Sequence, residues 1–562
     1  MRLNSKLNVS TNFAVYFAIA MAVIPVVSVS AQVIGPSTTQ SPYVIPSVPG
    51  VQTVSIASNG PSTPIGSVGN ETYFNLNTGV QDYRFVGIPD GLGARSVAFS
   101  SLPSAAQNRI NSNPGQFGSQ FMEVYVNHEL GAGAGIARAH GRAGAFVSKW
   151  VIDNNWNVVG AADVITQAKL WNTGTSSYDS FDNDAGTPAI PALPSDFGRF
   201  CSADLPAPTA FFNSGSGLGT QERIFMKGEE VGNEGRAFGT VVTGANAGTT
   251  WELPRLGKFS WENSVAHPNA GNSTLVLGTD DSTPGETYLY VGTKTSTGSE
   301  VERAGLTNGS LYGIRVTDLA GINSTETRGT GLGTGPGLDT TSRFDLFNHG
   351  NVENMTGTAL DASDELNGVT DFLRPEDSVW DPNSPNDLYF VTTDTVTASG
   401  GRSRLYRLRF DDIANPTAGG AIEMLLEGTE GGEMFDNMTL STEGGTTVVL
   451  LQEDVGNNVR LGKTWKYNIS TDAMLELAAF DPKFFSAAGA NYLGTLDEEA
   501  SGIIPLPAGF AGPNWYLADV QAHYNISGEL VQGGQLFAMQ IPEPTSIAVL
   551  GLAGLIGLRR RR

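Results

Sequence analysis

Short runs in which apolar and polar residues alternate recur along the chain, and long amphipathic helical periodicity is hard to find. Alternation of this kind, broken by Gly, Pro and Asn, predicts strands joined by tight turns. One run, EDSVWDPNSPNDLYFVTTD at 376–394, has an apolar hairpin pattern with an acid at each end. Two others repeat it, ENSVAHPNAGNSTLVLGTDD at 262–281 and DNMTLSTEGGTTVVLLQED at 436–454. Three looser copies start at Pro89 (PDGLG, closing at Glu129), at Cys201 (CSADLP, closing at Glu230) and at Glu498 (EEASG, closing at His523). About six such units make an internal repeat, the usual mark of a radial or solenoid architecture.

An antiparallel hairpin brings its two ends to the same edge, so both acids of a unit belong at one end of it. Hairpins arranged around an axis would gather these acids on one rim. Like charges at that range repel unless a cation lies among them. Acids also end strands for local reasons, being favoured in turns. Their near-equal spacing in three units is what points to a shared site. The fold expected is all-β, a β-propeller, which hides strand edges by radial repetition, with a pair of β-sandwiches as the structural alternative.

Composition narrows the choice. Gly numbers 69 and Pro 29, charged residues are only 16%, and the net charge is -23. Such acidity argues against a nucleic-acid partner, which needs basic residues along its phosphates, and suits cation binding. The single cysteine, Cys201, allows no internal disulfide and marks a thiol to consider as a ligand. No Gly-x-Ser-x-Gly elbow, Walker loop or His-Glu-x-x-His occurs, so a serine hydrolase, a nucleotide-binding protein and a zincin lack support.

The two ends read as addresses. Arg2 and Lys6, an apolar run and small residues at Val29 and Ala31 predict a signal peptide over 1–31 and export. Residues 32–70 are rich in Ser, Thr, Pro and Gly and read as a linker or an early edge strand. The folded body is expected over 71–540 and a sorting and anchor segment over 541–562. The latter holds Pro542-Glu543-Pro544, the apolar stretch Thr545–Leu558 and Arg559–Arg562. Its apolar part is short for a transmembrane helix, and its arginines would stay cytoplasmic. The tail resembles the PEP-CTERM sorting signal. That resemblance implies an exosortase partner, a transient inner-membrane anchor, and delivery to the surface or exopolysaccharide matrix of a Gram-negative bacterium.

VNHELGAGAGIARAHGRAGAFVSKW (126–150), the Cys201-to-GEE segment, LGKFSWENSVAHP (256–268), FLRPEDSVWDP (372–382), EMFDNMTL (433–440) and LLQED (450–454) resemble the PhoX-like alkaline phosphatase family. The resemblance implies a six-bladed propeller with an axial calcium and iron site that hydrolyses phosphate monoesters. Cys201 would be the thiolate ligand of iron, and Glu262 and Glu376 carboxylates of the cluster. Glu229 or Glu230, Asp281 and Asp436 are further metal candidates. Arg138, Arg142 and His128 are candidates to hold the substrate phosphate, which arginine can grip bidentately. The segment after Cys201 departs from the family in having no Trp. Other readings are a non-catalytic calcium-binding surface or matrix propeller, and a phytase-like or lactonase-like propeller enzyme.

Overall fold

The computed structural model describes residues 31–59, 71–182, 196–317, 325–329, 332 and 342–542. The proposed signal peptide, except Ala31, and the tail from 543 lie outside these residues.

The described chain is mostly strand, with a few short helices. Four-stranded antiparallel meanders follow one another. The first comprises Pro89–Val97, Phe121–His128, Phe146–Asp153 and Val158–Asp163. The second comprises Phe200–Asp204, Ile224–Glu229, Ala237–Val241 and Thr249–Glu252. Trp261–Ala266, Ser273–Asp280, Thr287–Thr293 and Ser310–Val316 form the third. Pro375–Trp380, Asp387–Thr392, Arg404–Phe410 and Gly420–Leu426 form the next. After it come Phe435–Glu443, Thr446–Asn457, Lys463–Asn468 and Ala473–Phe480. In the last, Asp497–Pro505, Trp515–Asn525 and Gln532–Gln540 are completed by Gln52–Ser58 from the other end of the chain.

The opening strands of these meanders pack side by side. Pro89–Val97 lies against Phe200–Asp204, which lies against Trp261–Ala266, and so on through Pro375–Trp380 and Phe435–Glu443 to Asp497–Pro505. That last strand packs back on Pro89–Val97, so the ring closes. Apolar clusters fill the spaces between neighbouring sheets. Trp261 stacks on Phe259 at 4.0 Å, and Phe259 on Tyr288 at 4.6 Å. Each large apolar side chain buried in this way contributes about 1.5–3 kcal/mol.

The stretch read as a linker or edge strand is strand where it is described. Ala31–Ile34, Val44–Pro46 and Gln52–Ser58 all pair, with Ala31–Ile34 at a sheet edge. The folded body therefore begins before residue 71. Its many Ser and Thr residues disguised it, because several are buried with internal partners: Ser55 Oγ donates to the Gln40 carbonyl, and Thr38 Oγ1 bonds Ser58 Oγ at 3.0 Å.

A buried ion pair ties residues 325–329 to the fourth meander. Glu326 accepts from Arg404 Nη1 at 2.7 Å, the Tyr406 hydroxyl at 2.9 Å and the Leu373 amide at 2.8 Å. Removing one partner of such a pair strands the other charge. Arg404→Ala is expected to destabilise by about 3–5 kcal/mol, read as a lower urea midpoint at an unchanged slope.

Candidate metal centre

Each opening strand carries an irregularity at the same place. The register with the second strand slips between Pro89 and Leu92, Phe200 and Ala203, Trp261 and Ser264, Pro375 and Ser378, Phe435 and Met438, and Ala500 and Ile503. A bulge re-aims the side chains beside it. Five of the six bulges begin with a ligand-type residue: Asp90, Cys201, Glu262, Glu376 and Asp436. The sixth begins with Ser501, whose hydroxyl donates to Glu499. The second bulge residues link the strands laterally. Asn263 Nδ2 donates to Asp377, Asp377 accepts from the Met438 amide, and Asn437 Nδ2 donates to Ser202.

The second strands add another tier. The amides of Glu129, Glu230, Asp281 and Asp454 donate to the carbonyls of Ile88, Arg199, Ser260 and Met434, just ahead of the bulged strands. Side chains from the two tiers converge. Asp90, Glu129 and Cys201 form one group of three whose donor atoms lie within 4.8 Å of one another. Cys201, Glu230 and Glu262 form a second, Glu262, Glu376 and Asp436 a third, and Asp436, Asp454 and Glu499 a fourth. Cys201, Glu262 and Asp436 are each shared by two groups, so the four make one continuous array.

Burial and mutual repulsion govern its charge. Burial pushes the Cys201 thiol well up, helped by Asp90 and Glu262, and the thiol donates to Asp90 Oδ2 at 3.3 Å. Asp90, Glu262, Glu376 and Asp436 are raised well above the carboxylate range, first by burial and then by neighbouring acids. Asp454 is pushed up to about 7 by burial and Glu499. Asp281 goes the other way: burial would raise it, but the Arg374 guanidinium outweighs that. Buried acids packed like this must hold either protons or cations. Several oxygens point inward without a partner, among them Asp90 Oδ1, Glu262 Oε1 and Asn437 Oδ1. Orphaned hard oxygens suit calcium, and a thiol among carboxylates suits a transition metal such as iron. The residues present thus fit the metals that the resemblance implies.

Two arginines reach the array. Arg199 and Arg374 each stand just ahead of a bulged strand with φ of 40° and 60°. Arg374 holds Asp281 at 2.7 and 3.0 Å and Glu376 at 2.9 Å. Arg199 holds Glu129 at 2.7 Å and also pairs with Glu230.

Of the metal candidates read from sequence, Cys201, Glu230, Glu262, Glu376 and Asp436 come together in the array, with Asp281 bound to its edge through Arg374. Glu229 does not join them: successive strand residues face opposite sides, and Glu229 turns to Arg236 at 2.6 and 2.8 Å. The same alternation turns His128 away from Glu129. Its ring bonds Ser148 Oγ at 2.8 Å and stacks on Phe146, and burial lowers its pKa to about 3. Arg138 covers the same Phe146 ring at 4.0 Å and pairs with Glu529, while Arg142 lies over Phe181. Asp394, expected among the closing acids, is one residue too far along. Thr393 takes the equivalent position, and Asp394 pairs with Arg328 at 2.9 Å.

Asp90, Glu129, Asp454, Glu499, Arg199 and Arg374 were not named from sequence as metal ligands or phosphate contacts. The repeat did contain a signal for four of them. Asp90 and Glu129 open and close a looser copy, Asp454 closes a clear one, and Glu499 adjoins the opening acid of another.

An all-β ring enclosing an array of buried carboxylates and a thiol defines a framework for a metalloprotein. Comparison with known proteins narrows this. Residues 214–481 match the family model for alkaline phosphatase PhoX, and residues 540–562 that for the PEP-CTERM protein-sorting motif. Both resemblances drawn from short motifs therefore have a family model behind them, the first over residues 214–481 and the second over the tail. The structure of Pseudomonas fluorescens PhoX in complex with vanadate, a transition state analogue, is similar at 11% identity and a TM-score of 0.54. That similarity covers 91% of this chain and 97% of the other. A Penicillium chrysogenum alpha-L-arabinanase complexed with arabinobiose is similar at 9% identity and a TM-score of 0.38, covering 89% and 99%. No curated protein matches the chain.

Proposed function

We propose that the protein is an exported, metal-dependent phosphatase that hydrolyses phosphate monoesters on a six-bladed β-propeller. The observation that carries this reading is the array of four overlapping ligand groups spanning the bulges of the opening strands. The match of residues 214–481 to the PhoX model and the PhoX-like fold support it. The blade count rests on the closed ring of opening strands.

In this reading Asp90, Glu129, Cys201, Glu230, Glu262, Glu376, Asp436, Asp454 and Glu499 hold the cations, and Asp281 positions Arg374. Calcium and iron would supply positive charge against the phosphate of the substrate and the charge that develops as the ester bond breaks. The protein's own work is positioning. The bulges fix the carboxylates before substrate arrives, and the lateral bonds among Asn263, Asp377, Asn437 and Ser202 keep those bulges from shifting. Arg374 retains an unused Nη1 among the described residues and orients the phosphate. This task was assigned from sequence to Arg138, Arg142 and His128, which gather around Phe146 and Phe181 instead.

The PEP-CTERM motif supports export, recognition by an exosortase and sorting to the cell surface. A matrix partner and transient inner-membrane anchoring by the tail are further parts of the proposal. No helix among the described residues is long and apolar enough to cross a membrane, and Thr545–Leu558 lies outside them.

Metal analysis of the purified mature protein, with turnover of p-nitrophenyl phosphate, tests the reading. Iron and calcium together with turnover are expected. Cys201→Ser is expected to lose iron and keep calcium, because it removes the only soft donor from the array. Calcium without turnover on several esters would favour the non-catalytic surface propeller.

A further inference from the structure

Arg199 and Arg374 occupy equivalent places two meanders apart. Each precedes the first residue of a bulged strand, each has a left-handed backbone, and each accepts the amide of a second-strand residue on its carbonyl, Glu230 at 2.9 Å and Thr393 at 2.9 Å. A left-handed backbone is costly for a residue with a side chain, of order 1–3 kcal/mol, and persists where its surroundings over-determine it. Here it directs the guanidinium back over the array and not along the strand.

The two guanidiniums flank one pair of acids. Arg199 is bound to Glu129 and Glu230, and Arg374 to Asp281 and Glu376. Glu230 and Asp281 lie close enough for each to act on the charge of the other. The order across this side of the array is therefore Glu129, Arg199, Glu230, Asp281, Arg374, Glu376. Each arginine uses Nε and Nη2 on these carboxylates. Nη1 of each makes no hydrogen bond among the described residues, which leaves two N–H groups per guanidinium. Both side chains also reach solvent, at 49% and 28% relative exposure.

We infer that Arg199 is a second phosphate clamp, which takes one oxygen of the substrate phosphate while Arg374 takes another. Carboxylates hold each guanidinium through Nε and Nη2, so a phosphate meets two pre-set donors and little side-chain entropy is lost on binding. A phosphate monoester, with three terminal oxygens, can meet both arginines and still leave an oxygen for the cations. This inference rests on the phosphatase reading for the location of the site, but it is tested by binding and so can stand or fall separately.

The experiment compares wild type with Arg199→Lys and Arg199→Gln, each loaded with metals. Metal content, the Kd for inorganic phosphate by calorimetry, and KM and kcat for p-nitrophenyl phosphate are measured. Lysine keeps the positive charge between Glu129 and Glu230 but loses the planar fork. Arg199→Lys is expected to retain its metals and bind phosphate about tenfold or more weakly, and Arg199→Gln more weakly still. KM should rise by more than kcat falls. Unchanged phosphate affinity in both variants would overturn the inference. Should Arg199→Gln lose metal, Arg199→Lys alone decides, and wild-type phosphate affinity in it overturns the clamp. Loss of metal in both variants also overturns it, since Arg199 is then only a structural charge. Wild type that binds phosphate through Arg199 but cleaves no ester would remove the phosphatase reading and leave the clamp in place.

Discussion

Glu376→Gln is expected to abolish phosphatase activity and strip metal while leaving the fold intact. Glu376 lies in the third ligand group with Glu262 and Asp436, and its backbone sits at a bulge that aims it inward. Outer-shell substitutions alone typically lower metal affinity or activity by about 10–100-fold, so loss of an inner carboxylate should exceed that. The fold should survive for an electrostatic reason. Burial and Asp281 push the Glu376 carboxyl well up, so without cations its charged form is disfavoured, and glutamine has nearly the same shape. The chelated variant should therefore melt no lower than chelated wild type. Only with metals present should wild type pull ahead. Full metal content and full activity in Glu376→Gln would reduce that residue to an acid at a strand end.

Chelation should have the second large effect. Each site filled at a hundred times its Kd contributes about 2.7 kcal/mol to the native state, so excess chelator should lower the Tm of wild type. The chelated protein should also lose stability as pH rises. Asp454 and Asp204 are held at about 7 and Glu286 at about 10, each mainly by burial. Unfolded, such groups titrate near about 4. A raised folded pKa means that the native state binds protons more tightly. The stability these groups contribute is full below about pH 4 and is lost as pH passes through about 7 and then about 10. Asp281, lowered by Arg374, opposes this only at the acid end. Cations need deprotonated ligands, so the loaded protein should show a flatter or reversed slope. Identical pH profiles for loaded and chelated protein would count against a metal centre here.

The all-β class and the gathering of Glu262, Glu376 and Asp436 were legible because both rest on a repeat. Period-2 alternation shows the strands, and equal spacing brings the acids to one end. Which residue of each opening strand faces the axis became visible only with the bulges. A bulge is one unpaired residue with no fixed sequence signature, yet it decides whether Asp90 or Gly91, Cys201 or Ser202 faces the axis. Choices between adjacent acids failed for the same reason. Nothing in GEE tells Glu229 from Glu230, and nothing in TTD shows that Thr393 holds the place expected of Asp394; strand phase settles both. Arg374 lay inside the RPED motif, but its left-handed backbone, which turns the side chain over the array, has no local cue such as glycine. Residues 31–58 were obscured by composition, since buried Ser and Thr with internal partners look in sequence like those of a linker.

The pairing of Gln52–Ser58 with Gln532–Gln540 sets a timetable. The strand carrying Glu499 belongs to the sheet that these two segments complete, so both ends of the body must be present before that sheet is whole. A nascent chain emerging N-terminus first holds most of its carboxylates early, but not the partner that locks the last of them in place. In the metal-dependent reading, cation capture would then be deferred to the final stage of maturation, and a chain truncated ahead of residue 532 would lack the strand that completes this sheet.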